Sequence, residues 1–176
     1  MQRRQFLLLL GAAGLLPGVQ FANGLFGEPA KIAEAVSHSK NVLNTLINAD
    51  SALLIRAILR EQIELVESLI QNGSDVNAKG NYDNTPLHWW AVGSKNIEIA
   101  NTLISYGANV NAQNKDGNSP LHWAAHYCKN VEVTQFLVSQ GADVNAKGKC
   151  DKTPLDLAQE CGNATVVEYL INIGAR

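Results

Sequence analysis

The side chains with which this chain could do chemistry are four histidines, three cysteines and a series of regularly spaced amides and carboxylates. His88 and His122 each follow a Thr/Ser-Pro-Leu step, 34 residues apart, and each precedes a tryptophan, Trp89 and Trp123. Placement this regular marks the two imidazoles as one element of a repeated pattern. His126 stands outside that pattern beside Tyr127; as an acid or base it would need a partner group that the sequence does not place. His38 stands alone and reads as solvent-exposed. Trp89 and Trp123 read as interior packing. Asp75, Asn109 and Asp143 could form a carboxylate row, but each precedes Val-Asn-Ala, where an Asx side chain serves turn geometry. No Gly-rich phosphate loop and no Ser/His/Asp arrangement is present. No Cys/His spacing resembles a zinc site. Catalytic, cofactor-binding and metal residues are therefore all assigned as none.

The bulk properties agree. The 176 residues carry 14 Lys+Arg against 16 Asp+Glu, a net charge of −2 that supplies no basic field for nucleic acid. Lys147, Lys149 and Lys152 make a small basic patch, read as a solvated face because no aromatic residues interleave it. With 46% hydrophobic and 17% charged residues the chain can build a core.

Residues 1–22 form a separate segment. Arg3 and Arg4 precede an apolar run from Phe6 to Leu16, Pro17 and Gly18 break it, and Ala22 suits a cleavage site. This is the three-part layout of a secretory signal peptide, and Arg-Arg-Gln-Phe-Leu resembles the twin-arginine export signal. Gln2 and Leu8 depart from that signal, and Gln20 departs from the small residue preferred before cleavage. An uncleaved anchor or a buried helix are the alternatives. The expected location is the periplasm or the outside of a bacterial cell, with no stable membrane insertion after cleavage.

The elements that must position these side chains come from an internal repeat. Thr85-Pro86-Leu87-His88 recurs as Ser119-Pro120-Leu121-His122 and Thr153-Pro154-Leu155-Asp156, at steps of 34. Gly73, Gly107, Gly141 and Gly174 keep phase with it. The hydroxyl residue can cap a helix, proline fits the first helical position, and glycine can close the second helix in a left-handed conformation. Two markers in phase identify the pattern as resembling the ankyrin repeat. The resemblance implies an all-α solenoid of stacked helix pairs joined by hairpin-like loops. The expected divisions are 1–22 signal peptide, 23–49 linker and capping helix, 50–82 degenerate repeat 1, 83–115 repeat 2, 116–149 repeat 3 and 150–176 repeat 4. Two units carry one extra residue, in 92–96 and 126–130, read as a tolerated insertion or a modified binding ridge. Trp90 occupies a position where the family has a small alanine, so local repacking is expected.

The resemblance also implies function: a non-catalytic module that binds a protein partner, as a monomer without cofactors, through a concave, hairpin-side face. The candidate contact residues are Asn81, Tyr82, Asn84, Lys115, Asp116, Asn118, His126, Tyr127, Lys149, Lys152 and Glu160, with the two tyrosines as anchors. A secreted effector acting on a host protein, or an accessory factor protecting a periplasmic enzyme, are the alternatives. Cys128 and Cys161 fall at the same junction of adjacent units. A disulfide between them requires the loop beside Cys128 to close the gap between helices about 8–10 Å apart. Cys150 is expected free at a hairpin tip.

Overall fold

A computed structural model describes residues 51–127 and 130–176. All the described residues belong to one compact unit. The expected signal peptide, capping helix, His38 and Cys128 lie outside the described residues. Among the described residues, eight α-helices follow in four pairs: α1 (51–59) and α2 (Ile63–Gln71), α3 (Pro86–Gly93) and α4 (Ile97–Ser105), α5 (Pro120–Tyr127) and α6 (Val131–Ser139), α7 (Pro154–Glu160) and α8 (Ala164–Asn172). The first helices α3, α5 and α7 pack against one another in one layer, and each touches its own second helix; α2 reaches α4, and α6 reaches α8. This is the stacked all-α arrangement that the repeat predicts.

Local chemistry sets the ends of each helix. The four second helices close alike: the glycine N–H reaches back three residues and the next N–H five, as in Gly107 to Ile104 O (2.9 Å) and Ala108 to Leu103 O (3.0 Å). That double closure requires a left-handed residue, and Gly107 has φ +89°. At the start of α7, Thr153 Oγ1 accepts the Asp156 N–H, and the Asp156 carboxylate takes the Thr153 N–H (2.8 Å). Thr85 and Ser119 differ: each hydroxyl lies 2.9 Å from the imidazole Nδ1 of His88 or His122.

The apolar faces meet in the interior. Leu87, Leu121, Ile99, Leu103 and Leu137 are fully buried, and Ala91 and Ala124 keep the first helices close. Fully burying a leucine contributes about 1.5–3 kcal/mol, but only a stack can bury both sides of a helix pair. Ala125 joins Leu155, Ala158, Val166 and Leu170 beneath the last pair.

Trp90 is completely buried and meets Phe136 edge to face at 5.5 Å. Its indole N–H donates to Asn96 O (2.9 Å), a carbonyl of the lengthened loop. Glu61 Oε1 holds the same loop through the Ser94 hydroxyl (3.2 Å) and the Lys95 N–H (2.8 Å). Asn96, at the start of α4, thus supplies the acceptor that the oversized side chain needs.

Asx turns form at Asp75, Asn109 and Asp143, each side chain accepting the N–H two residues on. The following asparagines join neighbouring units. Asn77 Nδ2 donates to Gly107 O (2.8 Å) while its Oδ1 accepts the Asn109 N–H (2.8 Å). Asn111 repeats this with Gly141 O (3.0 Å) and the Asp143 N–H (2.9 Å). Each amide satisfies one acceptor and one donor of the next unit, which apolar packing alone could not do.

Candidate functional site

His88 and His122 are spent on the fold. The Thr85 N–H donates to His88 Nδ1 (3.1 Å), which leaves Nε2 as the protonated nitrogen, 2.9 Å from Asn118 O in the next unit. His122 makes the same pair with Ser119 N–H (3.1 Å) and Lys152 O (3.1 Å). Burial holds both imidazoles below their ordinary pKa, against the raising effect of the carbonyls. The neutral ring caps its own helix and ties it to the following hairpin. In the last unit Asp156 stands in place of the imidazole: hydrogen bonds from Thr153 keep its carboxyl below the usual carboxylate range.

A groove of about 590 Å³ runs between the hairpin tips and the first-helix layer, from Tyr82 to Glu160. Its wall carries a chain of aromatic contacts. Trp89 meets Trp123 at 5.6 Å, Trp123 meets Tyr127 at 5.8 Å, and Tyr127 meets His126 at 4.3 Å, all edge to face. Trp89 and Trp123 are half-buried and line the groove. Their reading as interior packing holds in part: Trp123 packs against the core and the Trp89 Nε1 is buried, but both rings also line the groove, and the fully interior ring is Trp90. The sequence signal was available, since residues 89 and 90 point to different sides of one helix.

Tyr82 and Tyr127 are 70% and 59% exposed. Tyr82 and Asp83 both have φ of +58°, which side chains rarely adopt, at a hairpin tip repeated by Cys150 and Asp151. This backbone presents the tyrosine outward and carries a conformational cost. Asp116, Asn118, Lys149, Lys152, Glu160 and His126 also line the groove. Lys149 pairs with Asp116 (3.4 Å) and Lys152 with Glu160 (2.7 Å). Paired in this way, Lys149 and Lys152 do not form the free basic patch that their spacing suggests. Asn118 Oδ1 accepts the Lys149 N–H (3.0 Å), and the Lys115 N–H donates to Tyr82 O (3.0 Å), so these residues also hold hairpin to hairpin. Asn84 is 4% exposed and accepts from Asn114 Nδ2 (2.9 Å); it shapes the hairpin and offers little to a partner. Asn81 lies beside a separate, shallower recess with Ser51, Ile55 and Trp89.

Two arrangements escaped the sequence reading. His122 and His126 stand four apart on α5, a spacing that suits a metal, but both His122 nitrogens are occupied by protein partners. The second is the approach of Cys161 Sγ to His126 Nδ1, at 2.7 Å. Cys150 and Cys161 are free, exposed thiols; the expected Cys128–Cys161 pairing involves a residue outside the described ones. Among the described residues, no cluster of three or more His, Cys, Asp or Glu could hold a metal, and no helix is long and apolar enough to cross a membrane.

A family model described as "Ankyrin repeats (3 copies)" matches residues 27–114, 54–148 and 90–176 in overlapping placements. No curated protein matches the chain at a significant level.

Proposed function

We propose, from the premise that the chain belongs to the ankyrin-repeat family, that it is an exported bacterial module that takes a protein partner in the groove between its hairpin tips and first helices. Ankyrin repeats are generally non-catalytic protein-interaction modules, and that coarse function applies to this chain. The observation that carries the finer reading is the aromatic wall Trp89–Trp123–Tyr127–His126, flanked by Tyr82. Partly exposed aromatic rings that brace one another lose little entropy when a partner covers them, and such residues dominate interface energetics. The paired charges at the rim give the groove no single sign, which favours a partner read by shape and apolar contact.

Residues 1–22 support export through their paired arginines, apolar run and small-residue exit. We assign the protein to the periplasm or the cell exterior. Replacing Arg3 and Arg4 by lysine should leave precursor in the cytoplasm; unchanged export would remove the twin-arginine route while leaving a general signal peptide.

Affinity capture with the mature chain from its own cell extract identifies the partner, and titration with variants tests the site. Tyr82→Ala and Tyr127→Ala should each weaken binding about thirtyfold, as for a truncated aromatic hot spot of about 2 kcal/mol. Glu67→Ala and Gln135→Ala, exposed on α2 and α6, should change it by less than about twofold. The reverse pattern would place the partner on the second-helix face. Recovery of the partner from a host extract alone would favour the effector reading, and recovery of a periplasmic enzyme the accessory one.

A further inference from the structure

We propose that Cys161 is a thiol-modification site, activated by His126, that exchanges with low-molecular-weight disulfides. The geometry carries this. Cys161 is exposed and follows α7 directly, where its N–H is held by Leu157 O (3.1 Å) and Gly162 turns the chain at φ +67°. Its Sγ lies 2.7 Å from His126 Nδ1, although the residues are 35 apart in sequence and belong to adjacent units. The imidazole is itself braced: Tyr127 meets it edge to face at 4.3 Å, and Trp123 backs Tyr127 at 5.8 Å. A nucleophile, a base within hydrogen-bond reach and a group that fixes the base make the arrangement that activates a side chain for attack.

Neither residue has an evident duty in the fold. A hydrogen bond at an exposed site contributes little to stability, and the interior beneath the last helix pair closes through Ala125, Leu155, Ala158, Val166 and Leu170 without them.

The small disulfide is itself the oxidant, and the step balances with it. His126 Nδ1 takes the Sγ proton, and the thiolate attacks one sulfur of the small disulfide. The S–S bond breaks, a mixed disulfide forms on Cys161, and the leaving thiolate takes the proton from His126. Cys161 is oxidised as the departing half of the disulfide is reduced. The adduct would lie beside an imidazole that lines the groove, so occupancy of Cys161 would report on that end of the binding face. The reactivity itself does not depend on the groove being a binding site.

The test uses the full chain, reduced, desalted and exposed to oxidised glutathione, with peptide mass mapping of each cysteine over time. Cys150, exposed on a hairpin tip, is the internal standard. An ordinary thiol is only a few per cent thiolate at neutral pH, so a well-placed base can accelerate attack by up to about thirtyfold. His126→Gln should therefore slow Cys161 about tenfold and leave Cys150 unchanged. A second measurement needs no variant: at neutral pH Cys161 should react several-fold faster than Cys150. An unchanged Cys161 rate in the variant overturns the proposal. So does a Cys161 rate no faster than that of Cys150, or recovery of Cys161 joined to Cys128.

Discussion

The most searching perturbation is acid, because it acts on the two imidazoles that join the units. In the folded chain Nδ1 of His88 and of His122 accepts a backbone N–H at 3.1 Å, and Nε2–H faces the next unit's carbonyl. A second proton would have to enter at Nδ1, against an N–H donor and in the interior, which is why both rings stay neutral below their ordinary value of 6.5. The unfolded chain binds those protons near 6.5. The stabilising contribution is thus fully present above that pH, and is lost as the pH falls from 6.5 towards the lower native value. One proton changes stability by about 1.4 kcal/mol per pH unit, so the two histidines account for at most about 2.7 kcal/mol between pH 7.5 and 5.5. At a urea dependence of about 2 kcal/mol per molar, the midpoint should fall by up to roughly 1.3 M. Urea titration followed by tryptophan fluorescence at several pH values is the assay, with His88→Gln/His122→Gln as the comparison. The double variant should start less stable but lose the pH dependence in this window. A midpoint that does not move from pH 7.5 to 5.5 would refute the reasoning, as would an equal shift in the double variant.

Other expectations concern single side chains. Tyr82→Gly should hold or raise the melting temperature, since it removes a bulky residue from φ +58° at a relief of about 1 kcal/mol, while weakening the partner. Trp90→Phe should cost about 2 kcal/mol in urea denaturation, because Asn96 O loses its donor and the core loses volume. Its neighbour Trp89→Phe should cost less than about 1 kcal/mol, since the Trp89 N–H is buried without a protein partner; equal costs would contradict the assignment of the two rings. Thr134→Val should stabilise by about 1 kcal/mol, because the Thr134 hydroxyl is likewise buried and unpaired and the replacement keeps its shape; a lower midpoint would show that the hydroxyl has a partner.

Sequence alone determined whatever rests on contacts within a few residues. The Thr153–Asp156 cap, the four glycine closures and the Asx turns at 75, 109 and 143 each satisfy backbone groups three to five residues away or nearer. Their residue types therefore announce them, and their repetition announced the stacked helix pairs. That His88 and His122 occupy one recurring position was legible for the same reason, through phase with the repeat. Tertiary structure decided what depends on neighbours some thirty residues distant. Helical spacing says that Trp89 and Trp90 point to different sides, but not which side the next unit covers; stacking put Trp90 in the core and left Trp89 and Trp123 on the groove. Charge counts could not show that Lys149 and Lys152 are answered by Asp116 and Glu160 from other elements. His126 and Cys161 carry no local sign of each other, because the register of α5 against α7 alone brings Nδ1 to Sγ. Capping and turn chemistry are short-ranged and written in residue type, whereas a groove and a reactive pair arise only when separate units are brought side by side.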